Sequence, residues 1–306
     1  MSMTGAFQTL PTAFAGRFPV PTGGLVLPVS EPLKRRNTAL DWLFYDVGAL
    51  SAEEFARLVQ ETNVEGSILV VHPRGALGEN SIRKFGDYES LRAAPGKLLR
   101  NFSIAGVGSS DVGAAALARN LADHLGEPVG AIVAGYGVSD LLSEALGGWF
   151  FFGTINRAMK AFHERSGAEA ETAAASFSDR PEGFGISPDT RTLVNLLKDK
   201  ERSVATILGH SKGCLSIALA LELVARSGTR ERVKKAKAAQ VVTTGAVVEF
   251  PQGFDRVSQL LGSIDWFGGL NSRLGLDFVS VPGAWHHLNT TIPNHMDLRK
   301  ALPQAR

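Results

Sequence analysis

The residues best placed to do chemistry form the run Gly209-His210-Ser211-Lys212-Gly213, a G-x-S-x-G pattern. Residues 204–208 before it are β-branched and apolar, as in a buried parallel strand. Residues 215–225 after it are rich in Leu and Ala, as in a buried helix. A tight turn between strand and helix strains the central residue and pushes its side chain out above the sheet. Side chains at the flanking glycines would collide with neighbouring backbone. The helix that follows aims its first N–H groups at the place where an oxyanion would form. Ser211 is therefore the expected nucleophile. The plainer alternative is a glycine turn with a solvent-facing serine.

An activated serine needs a base within hydrogen-bond reach and an acid that orients the base. Downstream of Ser211 stand His286, His287 and His295, with Glu249, Asp255, Asp265 and Asp277 as the acids. His286 is favoured because it comes first after an apolar strand at 278–281, where its ring can reach back over the sheet. His287 would point the opposite way in extended chain, and His295 stays open as an alternative. Asp265 is favoured because a loop between Gly262 and Gly268 can present it, with Asp277 as second choice. His210 is expected to pack beneath the sheet, and His72, before Pro73, reads as structural.

These groups must be held by strands and helices. Residues 102–134 read as strand, glycine loop, Ala-rich helix and strand, and a right-handed crossover makes the two strands parallel. A glycine loop at a helix N-terminus binds negative charge. Gly106, Gly108 and Gly113 do not have dinucleotide-site spacing, and no acid closes the next strand, so that use is disfavoured. The better use is an oxyanion hole, with the N–H of Lys212 joined by one from Val107, Gly108, Ser109 or Ser110. Ser51 with Glu54 makes a capping box, 67–71 reads as a strand and 239–250 as a strand or a strand and turn, and Asp189 is a candidate cap for the helix through Leu197. Residues 1–36 read as an irregular N-terminal arm. Around 137–190 lies an insertion whose aromatic cluster at 149–152 suits either a core helix or the lid of an apolar pocket.

Composition narrows the classes. The chain has 306 residues, 44% apolar and 20% charged. Its 32 Lys and Arg nearly balance 30 Asp and Glu, so no charge excess points to nucleic acid or an anionic membrane. One cysteine, Cys214, allows no internal disulfide and reads as a small packed side chain. No signal-peptide pattern opens the chain, and no run approaches the ~18 apolar residues of a membrane span. The resulting expectation is a cytoplasmic protein without stable membrane insertion.

The strand followed by Pro282-Gly283-Ala284-Trp285-His286 resembles the strand-to-histidine turn of α/β-hydrolase fold esterases and lipases. Gly262-Ser263-Ile264-Asp265-Trp266-Phe267-Gly268 resembles the aspartate loop of bacterial lipase-like members, including class 3 lipase relatives. With the Ser211 turn, the three blocks fall in the family's order over about residues 100–300. The loop at 106–110 lacks the family's His-Gly-Gly or His-Gly run. The resemblance implies one α/β domain over 1–306, a mostly parallel sheet with helices on both faces. It further implies a serine hydrolase of carboxylic esters working through an acyl-enzyme, with no metal and no organic cofactor. Aromatics at 149–152 and 266–267 suggest a small-molecule substrate with an apolar acyl or alcohol group. Acyl transfer to another acceptor, thioester hydrolysis and non-catalytic ligand binding stay open, as does homo-oligomerisation.

Overall fold

The computed structural model describes residues 40–61, 63–76, 82–96, 98–106, 108–134, 186–273 and 275–302. The expected N-terminal arm, the aromatic cluster at 149–152 with its lid role, and Val107 lie outside the described residues. In chain order the elements are α1 (Ala52–Gln60), β1 (Ile68–Val71), β2 (Ile82–Phe85), α2 (Tyr88–Ala93), β3 (Asn101–Ile104), α3 (Asp111–Leu125) and β4 (Val129–Ile132). They continue with α4 (Pro188–Lys198), β5 (Thr206–His210), α5 (Lys212–Ser227), α6 (Arg230–Lys237), β6 (Gln240–Thr244), β7 (Val257–Gly262), α7 (Trp266–Leu270), β8 (Val279–Val281) and α8 (Leu298–Ala301). Residues 40–44, ahead of α1, are helical.

Among the described residues eight strands form one sheet in the order β2-β1-β4-β3-β5-β6-β7-β8. β1 runs antiparallel to both β2 and β4, and every other neighbouring pair is parallel. Period-two alternation splits the core into two layers. Leu69, Val71, Ala131, Leu208 and Val242 face one way, against α1, α3 and α8. Ile68, Val70, Ile132, Ile207 and Val241 face the other, against α2, α4, α5 and α6. Helices thus cover both faces, which is why the central strands are apolar throughout rather than alternating with polar residues. The strand order and the flanking helices match the α/β-hydrolase topology.

Local signals hold where they are strong. The Ser51 hydroxyl accepts from the Glu54 N–H and the Glu54 carboxylate accepts from the Ser51 N–H, so the capping box closes. One expectation needs correction. Ser187, not Asp189, stands at the N-cap of α4, because Pro188 takes the first helical position, where its missing N–H costs nothing. Asp189 lies inside the helix, buried, and accepts from the Ser216 hydroxyl at 2.9 Å. Over 239–250 the strand-and-turn form of the expectation holds: β6 ends at Thr244, where Gly245 turns the chain at φ 72°. Finally, β7 was not foreseen, and it places Asp265 just beyond a strand end rather than in an unassigned connection.

Candidate active site

The nucleophile turn is built by close approaches that only glycine permits. Strand β5 delivers Gly209 and His210 to the carboxyl end of the sheet, and Ser211 follows at φ 53°, ψ −119°. A β-carbon on Gly209 would sit 2.7 Å from Ile217 Cδ1 and 3.0 Å from the Cys214 backbone nitrogen. One on Gly213 would sit 2.9 Å from the Ala105 carbonyl oxygen and nearer still to that of Ile104. The absent side chains let α5 start directly against the end of β3. Ser211 N–H donates to the Thr244 carbonyl at 2.9 Å, which ties the turn to β6 as well.

Opposite Ser211 stands His286, in the loop after β8. Its Nε2 lies 3.2 Å from Ser211 Oγ. Its Nδ1 lies 2.9 Å from Asp265 Oδ2, and all three side chains are buried. The Asp265 carboxylate also accepts the Gly268 N–H at 2.6 Å, capping α7. An ionised carboxylate can only accept, so His286 donates from Nδ1 and leaves Nε2 as the acceptor facing the Ser211 hydroxyl. The rings of Phe44 and Phe267 close edge-on around the imidazole at 5.8 and 4.7 Å between centroids. This is the geometry of a Ser-His-Asp triad, in the chain order Ser, Asp, His.

The other candidates are elsewhere. His287 turns away: its Nε2 donates to the Pro293 carbonyl at 3.1 Å and its ring packs against Trp285. Burial lowers its pKa from the ordinary value. His295 Nδ1 bonds the Ile292 carbonyl at 3.0 Å. Asp277 and Asp255 are exposed, and Glu249, also exposed, pairs with Arg273. Cys214 is buried under the turn, and burial pushes its thiol up to about 12, so it packs as a neutral group. Among the described residues no cluster of three or more His, Cys, Asp or Glu side chains is placed to hold a metal ion.

The loop after β3 reaches the nucleophile, since a β-carbon on Gly106 would sit 3.2 Å from Ser211 Cβ. Within it Gly108 adopts φ 71°, and Ser109 N–H donates to the Gly106 carbonyl at 3.2 Å. The Ser109 hydroxyl and the Ser110 N–H donate to Asp41 at 3.1 Å each, and the Ser110 hydroxyl bonds the same carboxylate. Burial raises Asp41 to about 7 despite these donors.

Two further groups complete the surroundings: Tyr45, which no motif announces, and His210 of the nucleophile run. Tyr45 and His210 are both buried, and the Tyr45 hydroxyl lies 2.9 Å from His210 Nδ1. No spacing rule links residue 45 to residue 210. The only local hint is the density of large apolar side chains in Leu40-Asp41-Trp42-Leu43-Phe44-Tyr45. No family model, curated protein or solved structure matches the chain.

Proposed function

We propose that the protein cleaves carboxylic esters bearing an apolar acyl or alcohol group, with Ser211 as nucleophile, His286 as general base and acid, and Asp265 as the group that orients and stabilises the imidazole. The observation that carries this reading is the continuous relay from Asp265 through both nitrogens of His286 to a serine held at φ 53°.

In the acylation half, Ser211 Oγ attacks the ester carbonyl while His286 Nε2 takes the hydroxyl proton. The carbonyl oxygen becomes an oxyanion at the N-terminus of α5. The proposed donors there are the backbone N–H groups of Lys212 and of the loop after β3. Gly108 is preferred to Ser109 in that loop because the Ser109 N–H already donates to the Gly106 carbonyl. Collapse breaks the carbon–oxygen bond to the alcohol, which leaves with the proton from His286. A water then attacks the acyl-serine as His286 takes its proton, and the acid departs as Ser211 Oγ regains one.

An apolar substrate is supported by the walls. Phe44 and Phe267 flank the His286 ring, and a cavity of about 270 Å³ on the Asp265 loop, whose lining does not include Ser211 or His286, is formed by Leu261, Ser263, Ile264, Trp266, Phe278 and Ser280 with Gly262 and Asp265. Ile264, Trp266 and Phe278 are about half exposed there. The test is labelling of the full chain with a fluorophosphonate, peptide mapping, and hydrolysis of p-nitrophenyl esters of rising chain length. Label on Ser211, turnover that rises with chain length, and loss of both in folded Ser211→Ala are expected. Turnover retained by Ser211→Ala, or no label on folded protein, would overturn the assignment.

A further inference from the structure

The helical residues 41–44 and Tyr45 after them reach the loop after β3, the end of β5 and the chain just past His286. At one end Asp41 holds Ser109 and Ser110 of the loop after β3. In the middle, the Trp42 and Phe44 carbonyls accept from the Asn289 side-chain amide and the Leu288 N–H, at 2.5 and 2.7 Å, just past His286. At the far end the Tyr45 hydroxyl sits between two partners, the Gly106 N–H at 2.6 Å and His210 Nδ1 at 2.9 Å. His210 Nε2 in turn lies 2.9 Å from the His286 carbonyl oxygen.

Donor accounting fixes the protons in this chain. Burial pushes the His210 pKa down to about 3, so the ring is neutral and holds a single proton. The His286 carbonyl can only accept, so that proton sits on Nε2 and is donated there. Nδ1 is then the acceptor of the Tyr45 hydroxyl proton, while the tyrosine oxygen accepts the Gly106 N–H.

We propose that Tyr45 is a positioning residue: its hydroxyl selects the His210 tautomer that holds the His286 backbone, setting the loop after β3, the nucleophile turn and the base in one register. The role rests on the triad reading above. Removing the hydroxyl leaves Nδ1 without its donor and the tautomer held by the His286 carbonyl alone, and wherever the proton then moves to Nδ1, the donor to that carbonyl becomes an acceptor facing an acceptor. The base then loses its anchor while substrate-binding surfaces stay in place. The signature is a fall in kcat with KM held.

The test compares wild type, Tyr45→Phe, His210→Gln and His210→Leu in the full chain, with folding checked by circular dichroism. In Tyr45→Phe, kcat on a p-nitrophenyl ester is expected to fall about 10- to 100-fold with KM within about threefold, the cost of a small misplacement. Side-chain NMR of isotope-labelled histidine should show His210 protonated on Nε2 in wild type and mixed in Tyr45→Phe. Glutamine carries an amide N–H where Nε2 sits, so His210→Gln should keep most of the turnover that His210→Leu loses. Tyr45→Phe with wild-type kcat, or equal losses in the two His210 variants, overturns the role. If Tyr45→Phe does not fold, the His210 pair decides. An inactive, unlabelled wild type brings down the hydrolase reading itself and the positioning role with it, an outcome told apart because it shows in the unmutated protein.

Discussion

The serine side and the histidine side of the site face each other across 3.2 Å, and they are assembled on different terms. Ser211 is shaped by its own turn and the strand ends packed against it: two glycines, the end of β5, the first turn of α5, and the ends of β3 and β6. Its conformation is enforced by exclusion, since a β-carbon at either glycine has nowhere to go. The histidine side is enforced by attraction. His286 depends on Asp265 from the loop after β7, on His210 through its carbonyl, and on Phe44 and Phe267 for its ring. The need for steric room shows in a short run of glycines even where the excluded neighbour is a distant strand, whereas the partners of a hydrogen-bonded scaffold leave no such mark in the chain.

Changes on the two sides should therefore fail differently. Among changes that leave Ser211 in place, the largest effect is expected from Asp265→Asn, which keeps the shape but donates where His286 needs an acceptor. Its kcat should fall roughly a thousand- to ten-thousandfold with little change in melting temperature. Gly213→Ala attacks the serine side by sterics and should lose both stability, about 1–3 kcal/mol or more by urea denaturation, and turnover together. A Gly213→Ala protein of wild-type stability would erase the contrast.

Ser211→Gly sharpens it from the other direction. A non-glycine residue at φ 53°, ψ −119° stores backbone strain, so removing the side chain should abolish activity yet raise stability by about 1 kcal/mol over Ser211→Ala.

The smallest effect is a pH slope. His210 is pushed down to about 3 from an ordinary 6.5, so between those values the unfolded chain binds a proton that the folded chain refuses. Stability from this group is present above pH 6.5 and is lost as pH falls, at no more than ~1.4 kcal/mol per pH unit. Asp41, raised to about 7 from 3.8, keeps a proton that the unfolded chain releases, so its contribution runs the other way and weakens as pH rises through that window. The two slopes oppose each other between about pH 4 and 6.5. Asp41→Asn should uncover the His210 slope, seen as urea midpoints that drop more steeply toward acid than in wild type.

How far the sequence could be read follows the same division. The nucleophile turn was legible because Gly209, Ser211 and Gly213 form one short pattern set between a strand and a helix. The Ser51–Glu54 capping box was legible for the same reason. Asp265 could be favoured from its flanking glycines, but β7 was missed because its first half, Val257-Ser258-Gln259, is only partly buried and lacks a strong apolar signature. β2 was missed likewise, since Arg83 and Lys84 interrupt it at the sheet edge. Asp189 looked like a cap because an acid near a helix start usually is one. Its burial against Ser216 on α5 could be known only once α4 and α5 were packed together.

What the sequence determined by itself is what short-range physics enforces: apolar strands that demand helices on both faces, and a serine that two glycines force upright. The tertiary structure alone decided which of three histidines meets that serine and which acid meets the histidine. It alone brought Tyr45 and Asp41, from an unremarked aromatic turn, to the loops of the site. Those pairings join residues far apart along the chain, and a hydrogen bond depends on distance and direction in space, which the order of residue types does not specify until the sheet has assembled.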